Sequence, residues 1–292
     1  MLAVDIGGTK MAAAVVDGSG AVMAEARVPT PTSPDPETVF AALTAVTERV
    51  RGAAALEPEV CGVGCGGPMS AGGEVVSPLN IRAWDRFPLR GRLQRRLGLP
   101  VAVDNDAKAL ALGEGWLGAA RGSGNYLAMV VSTGVGGGIV IDHRLLEGES
   151  GNAGHIGHVV VEPEGRSCAC GGHGCLEAEA SGRSIESMTG HPASEAPDSV
   201  RRRTGMLVGR AVASVANLLD LELAVVAGSV ALGFGAVFFE SAQVEIGLRS
   251  RLDYSRSTRI VPGGLGANGP LVGAAAVGRR ALRAGPRASD PC

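Results

Sequence analysis

The chain alternates between short apolar runs, which are typical of buried strands, and longer segments in which apolar residues recur with helical spacing. Strands are predicted at 2–6, 11–16, 21–28, 60–64, 101–104, 126–132, 138–142 and 223–227. Helices are predicted at 37–55, 88–97, 106–117, 207–219 and 270–283. Two strand pairs enclose glycine-rich turns, near residues 7–9 and 132–138. The repeated order of strand, turn and strand predicts two related α/β lobes with a cleft between them.

The lobes are predicted to divide the chain near its first third. Residues 1–105 form the smaller lobe, which the helix at 270–283 completes, and residues 106–269 form the larger one. Residues 184–200 are short and polar, so the shape of the second lobe is least defined there. The polar segment 284–292 is predicted to be a disordered tail.

Composition narrows the function classes. The 292 residues are 45% hydrophobic and 19% charged, which is typical of a globular protein. A net charge of −2 argues against a nucleic-acid partner, and no apolar run has membrane-spanning length. The N-terminus carries no secretion signal, so a cytoplasmic protein with reduced cysteines is expected. The 45 glycines indicate tight turns and close backbone approach to a ligand.

Three cysteines and a histidine form a candidate metal site. Cys168, Cys170 and Cys175 follow His158, and this Cys3His set has the ligands of a closed, structural zinc site. The chain contains neither HExxH nor the H-x-E of zinc deaminases, which argues against a catalytic zinc. Three other histidines compete for the fourth ligand position: His143, His155 and His173.

The two glycine-rich turns are candidate phosphate cradles. Asp5 ends a strand before Gly-Gly-Thr, so the backbone N–H groups can bind phosphate and the carboxylate can hold Mg2+ through water. The second turn, STGVGGG at 132–138, offers hydroxyls and glycines for the same purpose. No P-loop is present. A GxGxxG match at 62–67 is rejected as a dinucleotide site, because Pro68 follows where a helix is needed.

The DND sequence at 104–106 lies where a strand gives way to a helix, so its side chains face the crevice at the strand end. Asp106 can accept a proton from a hydroxyl, and Asn105 can hydrogen-bond neighbouring hydroxyls. From spacing alone, simple helix capping is the slightly better explanation of the same residues.

Together these segments resemble the ROK family of repressors, open reading frames and kinases. The resemblance covers nearly the whole chain. Its motifs are DIGGTK at 5–10, DNDAKALALGE at 104–114, STGVGGG at 132–138, AGHIGHVVV at 153–161, CACGGHGCLEAEASG at 168–182 and VVAGSV at 225–230. The resemblance implies the actin-like ATPase (ribonuclease H-like) fold, with two α/β lobes closing on ATP and a hexose.

The resemblance also implies roles for individual residues. Asp106 is the general base for the sugar 6-hydroxyl, and His158 serves both zinc and sugar. The other sugar-binding residues implied are Gly67, Asn105, His155 and Glu177. ATP and Mg2+ are implied at Asp5, Gly7, Gly8, Thr9, Lys10, Thr133 and Gly134, with Gly228 and Ser229 at the adenosine.

One departure from the family pattern bears on the substrate. Glucose-type kinases carry Glu-Ile-Gly-His, whereas this chain has His155 in place of that glutamate, as bacterial N-acetylmannosamine kinases do. A neutral imidazole offers one donor and one acceptor, so it reads the sugar differently from a carboxylate at C2. An amino or N-acyl hexosamine such as N-acetylmannosamine is therefore favoured. Glucose and the 3-amino sugar kanosamine remain alternatives, and so does a purely packing role for His155.

Further expectations concern the other function classes, the oligomeric state and the phosphoryl donor. The family also contains repressors with an N-terminal helix-turn-helix, but DIGGTK begins at residue 5, so a DNA-binding repressor is not expected. A non-catalytic sugar sensor is the rival class, and it predicts a missing base or missing phosphate turns. A homodimer or homotetramer is expected, and the choice between ATP and polyphosphate as donor stays open.

Overall fold

The computed structural model describes residues 1–284 and contains ten strands and nine α-helices within that range. The strands are β1 Leu2–Ile6, β2 Lys10–Val16, β3 Val22–Pro29, β4 Cys61–Cys65, β5 Val101–Asn105, β6 Tyr126–Val131, β7 Val135–Ile141, β8 Arg144–Leu145, β9 Leu223–Ala227 and β10 Arg259–Pro262. The helices are α1 Pro36–Ala53, α2 Leu89–Leu97, α3 Asp106–Leu117, α4 Leu176–Ala180, α5 Gly182–Thr189, α6 Asp198–Leu219, α7 Ser229–Phe234, α8 Ala236–Arg249 and α9 Gly269–Ala284.

The strands form two five-stranded mixed sheets with the same topology. The first has the order β3-β2-β1-β4-β5, and the second has the order β10-β9-β6-β7-β8. In each sheet a strand pairs antiparallel with its hairpin partner and parallel with a later strand. The duplicated α/β architecture predicted from the sequence is therefore confirmed.

Two compact units contain these sheets. Among the described residues, the first comprises Met1–Leu117, Glu147–Ala153 and residues 267–284, and the second comprises Gly118–Leu146 and Gly154–Gly266. This division differs from the predicted boundary after residue 105, because α3 packs on α9 and on β4. The tail predicted to be disordered was 284–292, and residues 285–292 of it lie outside the described part of the chain. Its first residue, Ala284, is the last residue of α9.

Local chemistry accounts for the helix that follows the first meander. Asp35 caps α1 by accepting hydrogen bonds from the backbone N–H groups of Glu37 and Thr38, and Pro36 occupies the first turn. The apolar residues Val39, Leu43, Val46 and Val50 are all buried against the sheet. The predicted helical spacing of this segment is confirmed.

The glycine run after β6 differs from the prediction. The turn is confined to residues 132–134, and Gly136, Gly137 and Gly138 belong to β7. A Cβ on Gly137 would lie 2.8 Å from Ile156 Cγ2 and 3.1 Å from Gly154 O. These glycines therefore let β7 approach the GHIGH segment, rather than making the turn longer.

The polar segment predicted to be least defined is helical at both ends. It contains the end of α5 and the start of α6, which begins at Asp198, nine residues before the predicted start. Arg201 and Thr204 on this added part hydrogen-bond carbonyls of the preceding turn. No helix among residues 1–284 is both long enough and apolar enough to span a bilayer.

Candidate active site and metal centre

The first glycine turn is a tight hairpin between β1 and β2. Gly7 donates its N–H to Lys10 O at 3.0 Å, and Thr30 Oγ1 donates to Gly7 O at 2.6 Å. A Cβ on Gly8 would lie 2.4 Å from Asn80 Cβ, so only glycine fits there. Thr9 and Lys10 are exposed at the tip. Hydrogen bonds and packing thus fix Gly7 and Gly8, while the tip of the turn is exposed to solvent, as an anion-binding turn requires.

Asp5 and Asp106 lie at one edge of the first sheet. Register pairs Asp5 with Gly64 on the parallel strand β4, and Gly64 pairs in turn with Asp104 on β5. A Cβ on Gly64 would lie 3.7 Å from Asp106 Cα and 4.0 Å from Asp5 Oδ1. The carboxyl ends of β1, β4 and β5 therefore bring together two acids that are 101 positions apart in the sequence.

Burial and, to a smaller extent, the nearby charge of Asp106 raise the pKa of Asp5 to about 6, against the opposing effects of Lys10 and Arg27. A desolvated carboxylate beside a second acid is stabilised in its charged form by a cation. Oxygen donors of this kind are those that Mg2+ prefers, so the residues present fit a magnesium ion bound with a nucleotide phosphate.

At the start of α3, the two residues predicted to act on the substrate also cap the helix. Ala107 N donates to Asn105 Oδ1 at 3.0 Å and to Asp106 Oδ1 at 2.8 Å. Asp106 is nonetheless exposed, and Asn105 is half-buried. Capping therefore orients both side chains at the edge of the sheet without burying the acid. Gly67 lies just beyond the same edge and accepts a hydrogen bond from Leu79 N at 3.3 Å.

A buried ion network behind this edge was missed by sequence reasoning. Lys108 is 1% exposed and donates to Glu147 Oε2 at 2.7 Å and to Gly151 O at 2.9 Å, with Asp104 Oδ1 at 3.3 Å. Arg280 bonds the same two acids, at 3.0 Å from Asp104 Oδ2 and 2.6 Å from Glu147 Oε1. The one available signal was a lysine on the apolar face of an alanine-rich helix.

In the second unit, the 132–134 turn is held by several hydrogen bonds. Ser132 N donates to Gly134 O at 2.9 Å, and the hydroxyls of Ser132 and Ser229 lie 3.0 Å apart. A Cβ on Gly228, whose φ is +101°, would lie 2.4 Å from Val131 O. The two segments predicted for phosphate and adenosine, at residues 133–134 and 228–229, therefore lie side by side.

The predicted metal ligands converge in the second unit. The ligand atoms of His158, Cys168, Cys170 and Cys175 all lie within 4.8 Å of one another. Cys168 Sγ is 3.8 Å from His158 Nδ1, and Cys170 Sγ is 3.7 Å from Cys175 Sγ. Zn–S bonds of about 2.3 Å in a tetrahedron place sulfurs about 3.8 Å apart, so the four residues fit Zn2+. Within residues 1–284 the rival histidines lie outside this cluster.

The geometry of His158 separates its two ring nitrogens. Nδ1 faces the thiols, which leaves Nε2 directed away from them. His155 is exposed, and its ring is nearly parallel to that of His158, with 6.3 Å between centroids. Two imidazoles are thus presented on the same short segment.

Two glutamates on α4 differ sharply in their surroundings. Glu177 Oε2 accepts a hydrogen bond from Val135 N at 2.9 Å. Glu179, which sequence reasoning did not select, is 1% exposed and accepts from Arg166 N at 2.6 Å and from Arg203 Nη2 at 2.7 Å. It anchors α4 and the loop that carries the thiols.

Comparison with known proteins finds relatives both by sequence and by structure. A family model described as ROK family matches residues 1–281. The glucokinase of Streptomyces coelicolor is 40% identical over 185 residues, which are 63% of this chain and 57% of that protein, so the match spans little more than half of that relative. The N-acetylmannosamine kinase of Citrobacter koseri is 37% identical over 250 residues, 80% of this chain and 84% of that protein.

A solved structure agrees with these relatives. The ROK family glucokinase of Streptomyces griseus, in complex with glucose and AMPPNP, matches with a TM-score of 0.82 and 30% identity, over 96% of this chain and 99% of that one. The predicted α/β fold class is confirmed. The chain belongs to the ROK family and has the actin-like ATPase fold of that family's kinases.

Proposed function

We propose that the protein is an ATP-dependent kinase that phosphorylates the 6-hydroxyl of an amino or N-acyl hexosamine such as N-acetylmannosamine. The observation that carries the proposal is the sheet edge in the first unit, where Asp106 and Asp5 meet beside the residue 7–9 turn. A proton acceptor, a cation-binding carboxylate and an anion cradle are the parts that phosphoryl transfer needs.

The proposed reaction uses these parts as follows. The sugar 6-oxygen forms a bond to the γ-phosphorus, and the bond from that phosphorus to the bridging oxygen breaks to release ADP. Asp106 accepts the hydroxyl proton, and Asn105 hydrogen-bonds a neighbouring hydroxyl. Residues 7–9 and 133–134 bind phosphate oxygens through backbone N–H groups. A bound Mg2+ at Asp5 would neutralise phosphate charge.

In the metal loop, defined here as residues 158–175, a zinc ion would be closed to substrate by four protein ligands and would have a structural role. We propose that His158 contacts the sugar through Nε2, the nitrogen directed away from the thiols. In the second unit, His155 and Glu177 are the other proposed sugar contacts. In the first unit, Gly67 is proposed to contact the sugar in addition to Asn105.

The choice of hexosamine rests on His155 and on the N-acetylmannosamine kinase relative. Glucose is the second candidate, because the Streptomyces coelicolor relative and the solved Streptomyces griseus structure are both glucokinases. The 3-amino sugar kanosamine is a further alternative. A non-catalytic sugar sensor is disfavoured, since the proposed base and both phosphate turns are present.

A coupled assay of ADP release tests the proposal. The panel comprises N-acetylmannosamine, N-acetylglucosamine, glucose, mannose, glucosamine and kanosamine, each with ATP and with polyphosphate as donor. The highest kcat/KM is expected for N-acetylmannosamine with ATP. Sugar binding without transfer to any of them would support the sensor instead.

Two further properties complete the proposal. We propose a cytoplasmic enzyme, because ATP and reduced thiols are both maintained there. A homodimer or homotetramer is expected, and light scattering coupled to size exclusion measures it directly.

A further inference from the structure

The side chain of Glu177, proposed above as a sugar contact, also hydrogen-bonds the chain directly after the 132–134 turn. Its Oε2 accepts from Val135 N at 2.9 Å, and a Cβ on Gly134 would lie 3.0 Å from the same oxygen. Val135 begins β7 directly after the 132–134 turn. The carboxylate of Glu177, which is proposed to contact the sugar, therefore lies against the 132–134 turn, which is proposed to bind the phosphates.

The start of α5 contacts the same turn through its backbone. Gly182 N donates to Ser132 O at 2.7 Å, and Arg183 N donates to Thr133 O at 3.4 Å. A Cβ on Gly182 would lie 3.0 Å from Ser132 O, so the approach of the two backbones is close. Residues 177–183 thus supply three of the hydrogen bonds that fix the 132–134 turn.

The position of Glu177 is set by the metal loop. Cys175, a ligand of the cluster, directly precedes α4, and Leu176 N donates to Val159 O at 2.9 Å. The buried Glu179 ties the same helix to Arg203 and to the loop backbone at Arg166. A shift of the loop would therefore move the Glu177 carboxylate relative to Val135.

We propose that Glu177 is a positioning residue for the phosphate donor, which holds the 132–134 turn so that its N–H groups face the phosphates. The inference rests on the proposed kinase function, and it gives Glu177, proposed above as a sugar contact, a second part in nucleotide binding. Nucleotide affinity then depends on Glu177 even when no sugar is present, which a contact to sugar alone does not cause.

The test is calorimetric titration with AMPPNP and Mg2+ in the absence of sugar. Glu177→Ala removes the acceptor, and Glu177→Asp keeps the charge but withdraws it by one methylene. Each is expected to weaken nucleotide binding about ten-fold, equivalent to about 1.4 kcal/mol. Glu177→Gln keeps an acceptor oxygen for Val135 N and should stay within about three-fold of wild type.

Glu186→Gln is the matched control, because Glu186 is an exposed glutamate on α5. The affinity of this variant for AMPPNP should equal that of wild type. Zinc content and circular dichroism establish that each variant is folded. Unchanged AMPPNP affinity in the Ala and Asp variants, with a raised KM for sugar, would overturn the inference and leave Glu177 as a sugar contact. A wild-type protein that binds AMPPNP but phosphorylates no sugar would instead overturn the proposed function alone.

Discussion

Lys108 Nζ lies 2.7 Å from Glu147 Oε2 and joins two segments that are 39 positions apart in the sequence. Lys108 stands on the first turn of α3, two residues after Asp106, and Glu147 opens the segment Glu147–Ala153 that belongs to the first unit. Arg280 on α9 bonds the same carboxylate. One buried cation thus ties the helix that carries the proposed base to a segment that leads into the GHIGH sequence.

Replacement of this cation should be costly to stability. Lys108→Met leaves Asp104 and Glu147 with Arg280 as their shared partner, and breaking a buried pair costs about 3 kcal/mol. Urea unfolding measures the loss. Arg202→Met, which removes the exposed pair with Asp198, is the control and should cost less than about 1 kcal/mol. Equal effects of the two substitutions would show that the network contributes no more than a surface pair.

Asp106→Asn should separate binding from chemistry. The amide preserves the size of the side chain and an acceptor for Ala107 N, but it cannot take the hydroxyl proton. A fall in kcat of about 10²–10⁴-fold is expected, with sugar affinity retained in calorimetry. Asp253→Asn, at a carboxylate that is 94% exposed, is the control. Turnover near the wild-type rate would remove Asp106 as the base.

Asp5 should make stability fall as pH rises. The pKa of its folded-state carboxyl is about 6, above the ordinary 3.8, so the folded protein binds the proton more tightly than the unfolded chain does. The contribution is full below pH 3.8 and is lost as pH rises through 6, a difference of about 3 kcal/mol.

Asp5→Asn should therefore raise the melting temperature at pH 7.5 in magnesium-free buffer and flatten the pH dependence between 4 and 6. The same variant should lose most Mg2+-dependent turnover, because the proposed cation ligand is gone. A variant that melts below wild type at pH 7.5 would contradict this account of Asp5.

Metal analysis tests the Cys3His cluster. We expect about one zinc per chain, from four ligands that fit one tetrahedral ion. Cys175→Ser should lose the metal and raise the KM for sugar, since His158 is then no longer held through Nδ1. Cys61→Ala, at a buried thiol on β4, should retain the zinc. Folded, active wild-type protein without zinc would rule out the metal site.

His155→Glu tests the reading of the substrate. A carboxylate accepts two hydroxyl hydrogen bonds, whereas the neutral imidazole offers one donor and one acceptor. The ratio of kcat/KM for glucose to that for N-acetylmannosamine should rise about ten-fold or more. His143→Glu, at an exposed position outside the cluster, is the control. An unchanged ratio would assign His155 a packing role.

Local chemistry explains why some positions were predictable. Asp5 is the single polar residue in the apolar run of β1, and α3 begins at Asp106 because two adjacent side chains accept the N–H of Ala107. The thiols lie within eight residues of one another, so their convergence required little beyond a turn. These features depend on neighbours in the sequence.

Contacts between distant segments explain the rest. The segment Glu147–Ala153 belongs to the first unit because Lys108 and Arg280 bind Glu147, and no local pattern encodes that pairing. The extension of β7 through its glycines depends on the approach of Ile156 and Gly154. The acceptor role of Glu177 toward Val135 likewise depends on a neighbour 42 positions away.

The packing of α9 constrains the order in which the chain can fold during synthesis. Gly62 on β4 and Gly278 on α9 touch, since a Cβ on Gly278 would lie 3.2 Å from Gly62 N. Leu271, Ala274 and Ala275 of α9 cover the alanines of β1 and β2. The face of β1 and β2 that α9 covers therefore stays exposed to water until α9 leaves the ribosome. By then the whole of the second unit has already been made.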